Sequence, residues 1–241
     1  MTASLNNQVA LITGASRGLG RAIALRLAAA GVSLILSARH RAALEQVAEA
    51  ARALSGEPVV IAPLDVTDAD QIDHVVEGAI AQFGRIDILI NNAGLSWYKP
   101  LPEWSRDEIL TVVNVNLTGL MLMTHAVVPH MIRQQGGQIV NIASDIGRRV
   151  VPNMAPYVAA KHGVVGFSGS LLREVKAHGV KVSVVLPGII DTYFGGGEAG
   201  TRDETWALRP EAVAETVHTV LTQPPYVVLD EVTVHPLKQD F

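Results

Sequence analysis

Short apolar runs alternate with longer helical stretches along almost the whole chain. The runs lie at 8–13 (QVALIT), 32–37 (VSLILS), 58–62 (PVVIA), 86–90 (IDILI), 138–143 (QIVNIA) and 180–186. They are nearly continuous in apolar residues, as strands buried on both faces of a parallel sheet are. One or two more strands are expected within 226–234. Helical spacing fills the gaps at 20–31, 42–54, 68–83, 106–133, 155–178 and 210–221. Thr67 or Asp68 stands where a cap for the third of these is needed. Strand and helix in strict alternation predict an α/β domain. We expect one domain over residues 1–241, with no internal repeat, linker or boundary.

Three stretches depart from a simple amphipathic pattern. Residues 109–128 are long and mostly apolar, but Asn114, Asn116 and His125 interrupt them and Pro129 follows. We read a buried helix rather than a membrane span. Residues 155–178 are apolar on most faces, through Val158, Ala159, Ala160, Gly163, Val164, Val165, Gly166 and Phe167. Such a helix is covered on more than one side. One face packs on the sheet, and another is expected to meet a second subunit together with the 106–133 helix, in a homodimer or homotetramer. Residues 193–206 hold Gly195, Gly196, Gly197 and Gly200 and no clear period, and a mobile loop over a substrate is expected across 189–206.

Composition narrows the function. The 241 residues are 49% hydrophobic, 17% charged and 5% aromatic, enough to bury a sizeable core. A net charge of −4 gives no basic field for nucleic acid. No cysteine is present, so disulfides and cysteine metal clusters are excluded. The opening MTASLNNQVALITG lacks the basic start and long apolar run of a signal peptide. A cytoplasmic protein is the expectation. His125 and His130 are five apart and do not share a helix face, so no metal site is expected.

A strand, a glycine-rich turn and a helix meet at Thr13 to Gly20, TGASRGLG. That context suits a phosphate-binding loop. Gly14 allows the tight turn, Gly18 lets a pyrophosphate approach the backbone, and Gly20 lets the helix pack closely on the strand. The helix N-terminus offers free N–H groups to an anion. Many dinucleotide sites carry an acid at the end of the second strand. Here that end reads Ser37, Ala38, Arg39, His40, Arg41. A carboxylate would repel a 2′-phosphate, whereas Arg39 can grip one, and Arg17 can add a second cation. NADP(H) is therefore the expected cofactor. The fourth strand runs into Asn91, Asn92, Ala93 and Gly94, at the sheet edge where ligands bind. Asn91 serves either the cofactor ribose or the turn itself.

Ser144 ends the fifth strand, Tyr157 comes 13 residues later, and Lys161 follows 4 after that. On a helix, residues four apart share a face. A fixed ammonium favours a phenolate. Bringing a tyrosine from a pKa of about 10 to about 7 needs roughly 4 kcal/mol. One exposed ion pair supplies less. The arrangement therefore calls for a second cation, such as an oxidised nicotinamide, or a dry site as well.

Taken together, the chain resembles the short-chain dehydrogenase/reductase family, single-domain branch. The resemblance covers about 8–192 and rests on TGASRGLG, Asp65-Val66, NNAG at 91–94, Asn116 in NLTG, Ser144, YVAAK at 157–161 and PGIIDT at 187–192. It implies a three-layer, doubly wound parallel sheet (a Rossmann fold) of about seven strands with helices on both faces. It implies Tyr157 as acid/base, Lys161 on the nicotinamide ribose, Ser144 on the substrate oxygen and Asn116 on a water in a proton relay. Cofactor contacts are implied for Ser16, Leu19, Asp65, Val66, Ala93, Gly94, Pro187, Gly188, Ile190 and Thr192, beside those already named. The expected activity is NADPH-dependent interconversion of a carbonyl and an alcohol on a small to medium substrate. A 3-oxoacyl-carrier reductase is the alternative, with Arg148 and Arg149 available to an acidic carrier. The ending VVLDEVTVHPLKQDF departs from the TGxxxxVDGG pattern of such reductases. A non-catalytic dinucleotide sensor is the alternative of another class.

Overall fold

A computed structural model describes residues 3–240; Met1, Thr2 and Phe241, the last residue of that ending, lie outside the described residues. The apolar runs form β1 (Val9–Thr13), β2 (Ser33–Ala38), β3 (Val59–Pro63), β4 (Ile88–Asn91), β5 (Gly137–Ile142) and β6 (Val180–Pro187). A single further strand, β7 (Glu231–Val234), closes the sheet. The sheet is parallel throughout, in the order β3-β2-β1-β4-β5-β6-β7. Register places Leu11 beside Leu89 and Ile90 beside Val140.

Both faces are covered, which is why the strands carry no polar alternation. On one face, Ala10, Ile12, Leu34, Leu36 and Ile90 pack with α1 (Gly18–Ala28), α2 (Arg41–Ser55) and α7 (Pro210–Leu221). On the other, Val9, Leu11, Ile35 and Leu89 pack with α3 (Ala69–Phe83), α5 (Gly119–Gln134) and α6 (Ala155–Val175). Each such Leu or Ile contributes about 1.5–3 kcal/mol by leaving water. The expected three-layer, doubly wound sheet is what forms. Asp68, rather than Thr67, caps α3 by accepting from the Gln71 N–H at 3.0 Å.

The expected helix over 106–133 is continuous but not uniform. It runs as α4 (Arg106–Val113), a π turn over Asn114–Thr118, then α5. Ser105 and Glu108 form a reciprocal capping box at its start. By length and composition this helix could cross a membrane, with a mean hydropathy of 1.4, but only 39% of its apolar window is buried. The buried-helix expectation is thus half right. Met123, Val127 and Met131 sit in the core, while Leu110 is 58% exposed. The helix 155–178 is also shorter than expected. It ends at Val175, and a 3-10 turn leads to Gly179 at φ 72.

Candidate active site

The carboxyl ends of β1 to β6 lie along one edge, and every candidate group is carried there, in the connection that follows or on the next helix. Gly14 (φ 65) and Gly18 (φ 54) take left-handed backbone that side chains resist. A Cβ on Gly20 would stand 2.2 Å from the Gly14 carbonyl oxygen, so no side chain fits. Arg17 precedes α1 without capping it, which leaves the first N–H groups of α1 facing the edge. Ser16 and Leu19 lie within this loop. The loop is pinned from β4. Thr13 Oγ1 accepts the N–H groups of Asn92 and Ala93 at 3.0 and 3.1 Å, and Asn92 Nδ2 donates to the carbonyls of Thr13 and Gly14. Asn92 was not among the expected site residues. Its only signal was being the second residue of an Asn pair.

The asparagines separate cleanly. Asn91 spends its amide nitrogen in the core, on Thr124 Oγ1 and Asn141 Oδ1, both at 2.9 Å. It ties β4 to α5 and β5, and only its buried Oδ1 lacks a protein partner. Asn114 is exposed. Asn116, 1% exposed, is swung inward by the π turn. Its Nδ2 donates to the carbonyls of Leu95 and Val112 at 2.7 and 2.8 Å. Its Oδ1 is buried, faces Gly94 and has no hydrogen-bond partner. A buried acceptor left open in this way is costly unless something donates to it.

At the end of β2 Arg39 is exposed, beside Asp65. Burial opposes ionisation of Asp65, but hydrogen bonds from the Thr67 N–H and hydroxyl and the charge of Arg39 outweigh it, so the carboxyl lies below its usual range. Val66 packs its carbonyl on Gly119, where a Cβ would come within 2.5 Å.

Ser144 ends β5 in extended backbone, with Oγ 3.1 Å from Asp145 Oδ1 and 3.5 Å from the Pro187 carbonyl. Tyr157 and Lys161 lie one turn apart on α6, with Nζ 5.5 Å from the ring centroid. Lys161 is 3% exposed and donates to the Ile142 carbonyl at 2.8 Å. Burial pushes its ammonium down to about 7. Burial, and then the charge of Asp145, push the Tyr157 phenol well above its usual range, against a hydrogen bond from Ser144. The protein's own groups therefore do not make a phenolate at neutral pH, and the shortfall foreseen for one lysine is real.

Beyond β6, Ile190 bridges to Leu208, Gly188 is packed by Gln239 and His235, and Thr192 accepts from the Phe194 N–H. Buried Asp191 pairs with Arg209 at 2.7 Å, anchoring the loop to the start of α7. The segment after Thr192 lies over both halves of the site. Tyr193 stacks under the Arg17 guanidinium at 5.4 Å, and the Phe194 ring lies 5.4 Å from that of Tyr157. Among the described residues, no three His, Asp or Glu side chains gather as a metal site needs.

A family model described as short chain dehydrogenase matches residues 8–201. The chain belongs to that family. A 3-oxoacyl-[acyl-carrier-protein] reductase of Synechocystis is 40% identical over 80% of this chain and 77% of its own length. An uncharacterized oxidoreductase of Staphylococcus aureus is 34% identical over 97% of this chain and 99% of its own. Among solved structures, an alcohol dehydrogenase from Thermococcus sibiricus complexed with 5-hydroxy-NADP superposes with a TM-score of 0.92, at 33% identity over 97% and 98% of the two chains. A levodione reductase superposes with a TM-score of 0.88, at 31% identity over 95% and 96%. The dehydrogenase assignment agrees with the residues that carried the resemblance.

Proposed function

We propose that this short-chain dehydrogenase is an NADPH-dependent carbonyl reductase, working in reverse as an alcohol dehydrogenase, on small to medium, partly apolar substrates. The observation that carries this is the meeting of Ser144, Tyr157 and Lys161 with the glycine loop on one sheet edge. The residues present fit a dinucleotide. Gly14 and Gly20 let the loop pack so closely against itself and Asn92 that no Cβ fits, the start of α1 carries no side-chain cap, and the Oδ1 atoms of Asn91 and Asn116 are buried acceptors awaiting a donor. The loop Gly14 to Gly20 would hold the pyrophosphate, Arg39 and Arg17 the 2′-phosphate, and Asp65 and Val66 the adenine. Ala93, Gly94, Pro187, Gly188, Ile190 and Thr192 would line the nicotinamide end. The bound cofactor supplies the hydride and, when oxidised, a positive charge.

The rest is done by this chain. Tyr157 gives its proton to the substrate oxygen as general acid. Ser144 hydrogen-bonds the same oxygen. Lys161, in its protonated form, sets a positive charge beside the phenol and, with Asn116, leads a replacement proton inward. A cofactor titration is expected to favour NADPH over NADH, in line with the similar alcohol dehydrogenase complexed with 5-hydroxy-NADP.

The carrier-protein reductase remains the second reading because of the 40% identical relative. Against it, Arg148 is paired with Glu231 at 2.7 Å and Arg149 with Asp145, so both are engaged within the chain. For assembly, the open faces of α4, α5 and α6 support pairing with a second copy. Leu110 is exposed there, and a Cβ on Gly166 would meet no atom within 4 Å.

The test is NADPH consumption with a panel of diketones, aldehydes and ketones. Wild type is expected to turn over at least one. Tyr157→Phe is expected to lose about 10²–10⁴ in kcat while binding NADPH within about twofold of wild type. Unchanged turnover in the variant would remove Tyr157 as the acid/base, and a wild type that binds NADPH but turns over none of the panel would put a dinucleotide sensor in the enzyme's place.

A further inference from the structure

Three segments distant in sequence meet behind Ser144. The next residue, Asp145, is 5% exposed. Its Oδ1 accepts from the Ser144 hydroxyl at 3.1 Å and from the Ile146 N–H at 2.8 Å. Its Oδ2 accepts from the Arg149 guanidinium and, at 2.6 Å, from the Gln239 amide, and it faces His235 Nε2 at 3.4 Å. Both Gln239 and His235 belong to the tail that follows β7.

That tail holds more than Asp145. Gln239 Oε1 accepts the Ile189 N–H at 2.9 Å. The Lys238 N–H donates to the Thr205 carbonyl at 2.9 Å, and Arg149 donates to the Asp240 carbonyl at 3.2 Å. One short segment thus touches the serine turn, the loop after β6 and the far end of the substrate loop.

A buried carboxylate is costly unless each oxygen is held. Here both are held, and the holders reach in from outside the active site. We propose that Asp145 is a positioning residue for the carbonyl chemistry, locked by Gln239, so that the C-terminal tail fixes the Ser144 hydroxyl beside Tyr157. This rests on the carbonyl reductase reading of the same site. The serine proton can turn from the carboxylate to a substrate oxygen without moving Oγ.

The charge has a second consequence. A carboxylate near a phenol disfavours the phenolate, so Asp145 holds Tyr157 in its proton-donating form, which is the form reduction needs. The charged and titratable groups facing Asp145 are Arg149 and His235, and those facing Tyr157 are Asp145 and Lys161. The neighbouring Arg148 is paired with Glu231 of β7.

The experiment is an ultraviolet titration of tyrosinate in the full chain saturated with NADP⁺. Each protein is referenced to its own Tyr157→Phe counterpart, which isolates one phenol. Asp145→Asn keeps the shape and an acceptor for Ser144 but removes the charge. It is expected to move the Tyr157 transition to lower pH by about one unit. Gln239→Ala, a milder change in the tail, is expected to move it the same way by less, because water screens the loosened carboxylate. A transition that stays in place in Gln239→Ala, and in Asp145→Asn where that variant folds, overturns the proposal. A purely structural role would lower the melting temperature and leave the transition where it was. If Tyr157→Phe leaves NADPH-dependent carbonyl turnover unchanged, the carbonyl reductase reading has failed first, and this proposal falls with it.

Discussion

The two ends of the binding edge are built from different materials. At the β1–α1 end the surface proposed to meet the dinucleotide is backbone: Gly14, Gly18 and Gly20, pinned by Thr13 and Asn92. At the β5–β6 end it is side chain and loop: Ser144, Tyr157, Lys161, Phe194 and the tail beneath them. A backbone site tolerates nothing where a Cβ would collide, and it is indifferent to most other changes. A side-chain site tolerates substitution sterically but changes its chemistry at once. The first kind recognises what all dinucleotides share, and the second decides which reaction and which substrate follow.

The sharpest way to break this contrast is Gly20→Ala. The added methyl lands 2.2 Å from the Gly14 carbonyl, which is backbone and cannot swing aside. The loop must shift, at a cost of about 1–3 kcal/mol or more. Dinucleotide affinity is expected to fall by about 100-fold or more, or about 2.7 kcal/mol. Isothermal titration with NADPH checks this. Near wild-type affinity would mean that side chains, not backbone, carry the first end.

This asymmetry also explains what could be read from the sequence. Glycine spacing is a steric demand, so TGASRGLG announced its own geometry. The first six strands were legible because runs buried in the sheet have little choice but to be apolar, whereas β7, exposed or half-exposed along its length, was read only as one or two strands within 226–234. Tyr157 and Lys161 were legible because a four-residue gap on a helix is a distance. Asn116 was left open against Asn114, and only the π turn separates them, by adding a residue that swings one inward and leaves the other at the surface. The core role of Asn91, the pair Asp191–Arg209 and the contact of Gln239 with Asp145 all span long sequence separations. No local pattern encodes such contacts. The half-open face of the 106–133 helix was read as buried because composition does not say what covers it.

A second test sets function against stability at the side-chain end. Burial pushes the Lys161 ammonium from 10.5 down to about 7. Between those values the unfolded chain binds a proton that the folded chain does not. Folding stability therefore rises with pH from about 7 to 10.5, and the cost of charging Lys161 is borne in full below about 7. Lys161→Met removes that cost along with the hydrogen bond to Ile142. At pH 6.5 it is expected to stabilise the cofactor-free protein by on the order of 2 kcal/mol, or about 5 °C in Tm, and to flatten the pH dependence above pH 7. Turnover is expected to collapse. Thermal melts across pH 6 to 10 check it, and a destabilised variant at pH 6.5 would show that the ammonium is better paired than its burial implies.

A smaller effect is expected at the adenosine end, where a side chain adds selectivity to the backbone cradle. Arg39→Asp puts a carboxylate where a 2′-phosphate would sit. Preference for NADPH over NADH is expected to fall by about tenfold or more, or about 1.4 kcal/mol, with NADH affinity changed little. Fluorescence titration of both cofactors reads this directly. Equal binding of NADH and NADPH by wild type would remove both Arg39 and Arg17 from 2′-phosphate recognition.

The smallest expected change lies in the loop. Phe194 is 40% exposed, and its ring is tilted 49° to that of Tyr157 at a centroid distance of 5.4 Å. A ring pair at that spacing is worth about 0.5–1.5 kcal/mol beyond its buried area. The same ring offers a wall to an apolar substituent on the substrate. Phe194→Ala removes the wall without touching a hydrogen bond of Ser144, Tyr157 or Lys161. KM for an aryl ketone is therefore expected to rise about threefold to tenfold, with kcat changed by less than about twofold, because the lost contact is made equally before and during proton transfer. A small carbonyl such as glyoxal, which cannot reach the wall, is expected to keep its KM. Steady-state kinetics on the two substrates decides between two jobs for this residue. If kcat falls for both, Phe194 shields Tyr157 from water and belongs with the catalytic groups. If only the aryl ketone suffers, the loop sets specificity, and the division between the two ends of the edge extends to the last residue that touches the site.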